Sequence, residues 1–199
     1  MSTNRIQVNA DIGGATIAGT ITRTSDARQA FDVTLPAAKA GTLSTRTSDT
    51  AGTLTMGAGH GITTGIKIDI YWDGGRAYNA TVGTVDGNSV PFTLASGDVM
   101  PAQDTAITAS AQTSIDLAVT GDNLAAIGAS CGEDCCLGFY ASSTRELSVS
   151  MPGGEPWFWA SGCGFTNPLA GITVTSAKAS QGGTSAAVLK VGVAFDGTP

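Results

Sequence analysis

Hydrophobic and polar residues alternate along much of the chain, or gather in short β-branched runs, and Gly, Asp, Asn or Pro interrupts them about every ten residues. Period-two alternation puts successive side chains on opposite faces of an extended strand, so the pattern predicts strands. The expected strands cover residues 6–9, 15–22, 31–35, 42–45, 53–56, 67–72, 77–82, 90–94, 106–110, 113–119, 137–141, 146–151, 157–160, 172–177 and 187–195. The run from Val188 to Phe195 is mostly apolar, which predicts a covered strand within a sheet and not an edge. One segment departs from the pattern. In Gly121-Asp122-Asn123-Leu124-Ala125-Ala126-Ile127-Gly128, Asp122 suits a helix N-cap and Gly128 a stop, so a short helix is expected there.

Residues 41–111 read as a compact unit of short strands joined by turns at Gly57-Ala58-Gly59-His60-Gly61, Asp73-Gly74-Gly75 and Asp86-Gly87-Asn88, which suits a small β-barrel. The flanking segments, 1–40 and 112–199, then form one discontinuous β-sandwich, jelly-roll-like, into which the barrel is inserted. The expected fold is therefore all-β. Residues 18–26 and 40–49 share an Ala-Gly-Thr start and a Thr-Ser-Asp end. Thr-rich strands ending in Ser-Asp turns explain the likeness, and nothing continues it into a solenoid.

With 199 residues, a net charge of −6 and 13% charged residues, the chain is long enough for a real core and too acidic for a phosphate-neutralising basic patch. Neither nucleic acid nor a membrane is an expected partner. The polar start, Met1 to Asn4, lacks a secretory pattern and suits an arm that orders on assembly, and the chain is expected to be made in a cytoplasm. Cys131, Cys135, Cys136 and Cys163 do not have the paired short spacing of a structural zinc site. A disulfide from Cys131 or Cys136 to Cys163, or buried thiols, are the other readings, with free thiols the default in a reducing compartment.

Motifs with chemical meaning are few. Gly128-Ala129-Ser130-Cys131-Gly132 matches G-x-S-x-G, but a helix would precede the turn and His60 lies upstream of the serine, against the order of a nucleophile elbow. His60 has no ligand-type companions nearby and reads as a turn residue. Gly57-Ala58-Gly59 lacks the lysine and hydroxyl of a phosphate loop. Asp69 and Asp73 are able to act as paired acids or calcium ligands, yet four apart on a strand they more simply mark a solvated face. Asn79-Ala80-Thr81 is a chance sequon. No catalytic, cofactor-binding or metal-binding residue is expected, and the chain is read as non-enzymatic. The aromatic run Trp157-Phe158-Trp159 puts both tryptophans on one face and Phe158 on the other, and Trp157, Trp159, Tyr71 and Trp72 are the candidate interface residues, with core packing as the competing role for the tryptophans.

The segment Ala58-Gly59-His60-Gly61-Ile62-Thr63-Thr64-Gly65, followed by Ile68-Asp69-Ile70-Tyr71-Trp72 and Asp73-Gly74-Gly75, resembles small β modules of virion proteins of tailed bacteriophages. The resemblance spans residues 53–108 and departs at Ile66-Lys67, where the pattern often carries Asp. It implies a bacteriophage structural protein located in the virion, above all a head decoration or cement protein. Implied partners are copies of itself and other virion proteins, foremost the major capsid protein. Alternatives are a tail-tube, tail-tip or fibre component, and a carbohydrate- or receptor-binding module.

Overall fold

The computed structural model describes residues 2–12, 15–25, 27–95, 99–152, 155–161 and 163–196. Among these the regular secondary structure is nearly all strand. An N-terminal hairpin, β1 (Ser2–Ile12) and β2 (Ala15–Ser25), forms a two-stranded sheet of its own. β3 (Ala27–Leu35) follows and leads into six strands that close a barrel: β4 (Lys39–Arg46), β5 (Ala51–Met56), β6 (Lys67–Trp72), β7 (Gly75–Val82), β8 (Ser89–Thr93) and β9 (Ala106–Ala111). Around the barrel the order is β4-β5-β8-β7-β6-β9, every pair antiparallel, with β9 returning to β4. Its interior is filled by residues such as Leu43, Leu54, Ile68, Ile70, Val90, Phe92 and Ile107. The gap lined by Leu43, Ile70, Trp72 and Phe92 has no room for a water molecule, so the barrel is a packed core and not a ligand cup.

The rest of the chain builds β10 (Thr113–Ile115), β11 (Val119–Thr120), β12 (Leu124–Ser130), β13 (Cys135–Ala141), β14 (Thr144–Met151), β15 (Trp157–Ala160), β16 (Thr173–Val174), β17 (Ser176–Gln181) and β18 (Ala187–Phe195). Two four-stranded sheets result, β10-β17-β13-β14 and β15-β12-β18-β3, and their facing residues form one core that includes Leu35, Leu117, Ile127, Leu137, Phe139, Leu189 and Phe195. β11 and β16 pair separately. As its apolar run predicts, β18 lies inside a sheet, paired to β12 on one side and β3 on the other. The two similar Thr-rich segments part company, one in the N-terminal hairpin and the other in the barrel. Ser2 to Asn4 belong to β1, and Met1 lies outside the described residues.

The expected helix at 121–128 is not formed. Gly121–Asn123 make a single 3-10 turn and the chain continues as β12. Asp122 does not cap a helix; its carboxylate accepts the Gly171 N–H at 2.8 Å and holds the following loop. Ala126 to Ala129 are then taken up by ladders on both sides, and pairing with β15 and β18 outweighs a weak local helix preference.

Gly121 is the tightest point of that connection. A Cβ added there would lie 1.7 Å from the Leu169 carbonyl oxygen, while Gly121 N donates to Ile172 O and its carbonyl accepts from Asn167 Nδ2. Gly132, by contrast, opens onto free space. Gly121→Ala is expected to lower unfolding free energy by about 3 kcal/mol through overpacking, and Gly132→Ala by less than about 0.5 kcal/mol. Urea melts of the two variants check this, and equal effects would refute the close approach.

Candidate functional site

The barrel rests on the outer face of the β10-β17-β13-β14 sheet, and the residues between them are polar. Asp69, at a register shift in the β6–β7 pairing, is only 1% exposed. This corrects the expectation of a solvated face shared with exposed Asp73: the outward side of β6 is covered by the neighbouring sheet. The Asp69 carboxylate accepts from the Asn79 backbone N–H at 2.6 Å, from Gln112 Nε2 at 3.0 Å and from the Ser180 hydroxyl. Asn79 adopts φ +60, so the shift exposes an N–H that the carboxylate satisfies. Tyr71, 4% exposed, completes the chain by donating its hydroxyl to Ser180 Oγ at 2.7 Å. Tyr140 reaches across to Asn79 Oδ1 and Gln112 Oε1, each at 3.3 Å.

Cys136 faces the same seam. Cys135 and Cys136 are successive strand residues, so one enters the sheet-to-sheet core and the other meets the barrel. Cys135 is bonded to Cys131, with Cα atoms 6.4 Å apart, and this bridge joins the end of β12 to the start of β13. The disulfide alternative to Cys163 is not formed, and the default of four free thiols is corrected by this bridge: Cys136 and Cys163 are the free thiols. Burial, with the Asp69 charge adding to it, pushes the Cys136 thiol up to about 12. Burial likewise raises Tyr71 and Tyr140 and lifts Tyr78 to about 12.

Where the seam reaches solvent, Tyr71, Trp72, Asp73, Thr108, Asp134 and Gly182 line an open groove of about 480 Å³. Its floor is closed by Thr108 Oγ1 donating to Gly182 O at 2.8 Å, and Gly182 is bare because a Cβ would sit 2.8 Å from the Tyr71 ring. Trp72 is half-buried, packed on the barrel core with its indole over Gly75.

The other sequence candidates fall elsewhere. Trp159 is 7% exposed and its indole donates to Phe165 O at 3.1 Å; Trp157 is half-buried beside Phe139; Phe158 is the outward residue at 38%. Of the interface candidates, only Trp72 lies at the groove with part of its surface open, while Tyr71 sits behind it. His60 clamps two barrel loops: Nδ1 accepts the Ile62 N–H at 3.0 Å, which leaves Nε2 to donate to Gly87 O at 3.1 Å. Ser130 ends β12 opposite Lys190 and is not on a strand-to-helix turn. Among the described residues no group of His, Cys, Asp and Glu is arranged to hold a metal. The seam residues Gln112, Ser180 and Arg145 carried no signal in the sequence, since such polar residues read as solvated, and Cys136 stood out only as one of four cysteines. No protein-family model, curated protein or solved structure matches the chain.

Two outcomes follow from this geometry. Asp69→Asn replaces an acceptor of three hydrogen bonds by a group with one acceptor oxygen and an NH2, and is expected to cost about 3 kcal/mol of stability in urea; a loss near zero would show that the network is not satisfied as described. The Cys136 thiol keeps its proton in the folded chain when the unfolded chain loses it near pH 9, so stability must fall as pH rises from about 9 toward 12. Urea midpoints measured from pH 8 to 11 should decline for the wild type, and Cys136→Ala should hold its value to about pH 10, where the tyrosines take over.

Proposed function

We propose that this chain is a non-enzymatic structural subunit of an assembled particle, a bacteriophage virion, and within it a head decoration protein that bridges neighbouring shell subunits. The observation that carries the reading is the N-terminal ribbon. β1 and β2 run in register over their full length, pair only with each other, and form a separate sheet ahead of edge strand β3 in the chain. Strands of this length reach roughly 35 Å at about 3.3 Å per residue, yet a two-stranded ribbon is marginal in water unless another surface covers it. The register pairs Ile6 with Ile21, Val8 with Gly19, Ala10 with Ile17 and Ile12 with Ala15, alternating with the more polar pairs Gln7/Thr20, Asn9/Ala18 and Asp11/Thr16. An amphipathic ribbon is suited to lie on a neighbouring subunit, in the manner of strand-based recognition.

The finer architecture belongs to the same reading: a jelly-roll-like sandwich made of the two four-stranded sheets, with the barrel of 41–111 as an inserted module. Packed cores in both units and a polar seam between them suit a rigid spacer whose task is contact area. A tail-tube or tail-tip role is the second reading, favoured by the edge strands β3, β10, β14 and β15, which are able to pair between copies.

Removal of residues 2–25 tests the proposal. The truncated chain is expected to keep its near-ultraviolet circular dichroism and to lose binding to pre-formed shells, or self-association in light scattering. Unchanged binding and mass would overturn the role of the ribbon, and concentration-dependent tubes from the full chain would replace decoration by the tail reading.

A further inference from the structure

At the β7–β14 edge of the seam, two guanidinium groups gather around one phenol. Arg76 and Tyr78 alternate along β7, and Arg145, on β14, places its guanidinium carbon 5.2 Å from the Tyr78 ring centroid. Arg145 is fixed in that position. Its Nη2 donates to Cys136 Sγ at 2.9 Å, and the guanidinium lies over bare Gly138, where a Cβ would come within 2.8 Å of Nε. The side chain is thus preorganised by contacts that do not neutralise its charge.

Three buried donors at this place lack an acceptor: Arg76 Nη1, Arg145 Nε and the Tyr78 hydroxyl. Ser150 and Arg76 stand near that hydroxyl without forming a hydrogen bond of good geometry. The ion pairs Arg46–Asp49 and Lys190–Asp32 involve neither guanidinium, and buried Asp69, whose charge is felt together with that of Arg145 at Cys136 and Tyr140, has its oxygens taken by Asn79, Gln112 and Ser180. A guanidinium removed from water needs a counter-charge with oxygen acceptors, and its planar fork matches those of an oxyanion.

We propose that Arg76, Arg145, Tyr78 and Ser150 form a binding site for a tetrahedral oxyanion, phosphate or sulfate, at the mouth of the seam. The anion accepts from both guanidiniums and the two hydroxyls, and so ties barrel strand β7 to sheet strand β14. Tyr78 serves as a donor at any neutral pH because its phenol stays protonated. The site is independent of the assembly reading, since every group in it belongs to one chain.

The test uses the full chain in buffer free of oxyanions, titrated with sodium phosphate, sodium sulfate or sodium chloride at constant ionic strength. Phosphate and sulfate are expected to raise the unfolding temperature saturably and chloride is not, with matching dissociation constants from calorimetric titration. Arg76→Gln, at the half-exposed edge, should weaken phosphate at least tenfold; Arg76→Lys should weaken it less; Tyr78→Phe keeps the ring under Arg145 and should weaken it a few-fold. Arg46→Gln, on the barrel away from the seam, should bind as the wild type does. An equal rise with chloride, or equal phosphate affinity in wild type and Arg76→Gln with both folded by circular dichroism, would overturn the site. Should Arg76→Gln not fold, equal affinity in the wild type, Arg76→Lys and Tyr78→Phe would do so.

Discussion

A buried carboxylate sets how the two halves of this molecule meet. Asp69 draws hydrogen bonds from the bulge at Asn79, from Gln112 in the strand-to-strand link, and from Ser180 in the opposing sheet. Unpaired, that charge would be costly to remove from water, so the arrangement of its donors is tightly constrained. The barrel is held in one orientation on the sheet, and the closeness of Gly182 to Tyr71 depends on it. An apolar interface of the same size would tolerate sliding; directional donors do not.

The sheet-to-sheet core works by other means. Its residues are aliphatic and aromatic, drawn from strands far apart in the chain, and the Cys131–Cys135 bridge closes the short connection between β12 and β13. Adjacent Cys135 and Cys136 show how one strand serves two environments. The first packs in a dry core and the second, one residue on, accepts a hydrogen bond from Arg145 at the seam. Strand alternation therefore links the apolar core on one side of β13 to the polar seam on the other, and a change at either face is felt through the same backbone.

The hairpin, the sheets and the seam serve different structural ends. Cores fix the two units, the polar seam fixes their relative placement, and the N-terminal ribbon supplies surface that the chain does not use for its own sheets. The groove beside Trp72 and Asp73 and the arginine pair at the far edge both arise where the seam meets solvent. Function in such a design resides at the margins of the packing, since the interiors are filled.

Much of the strand pattern was legible along the chain: alternation located β6, β7, β13 and β18, and glycine-bearing turns marked the barrel hairpins, because strand period and turn chemistry are local properties. Residues 121–128 were misread because a helix-compatible stretch gained ladders on both sides, a gain that exists only after β15 and β18 arrive. Asp69 looked solvated because the sequence shows which residues share a face but not what covers it. The cysteine pairing was likewise undetermined, since it depends on how close two strand ends lie. The sequence by itself determined strand character, turn positions and the parity of each side chain, all set by the covalent chain and its nearest neighbours. Only the tertiary structure decided which polar faces were buried, which thiols met and where two arginines came to share a phenol, because those outcomes rest on contacts between segments distant in the chain.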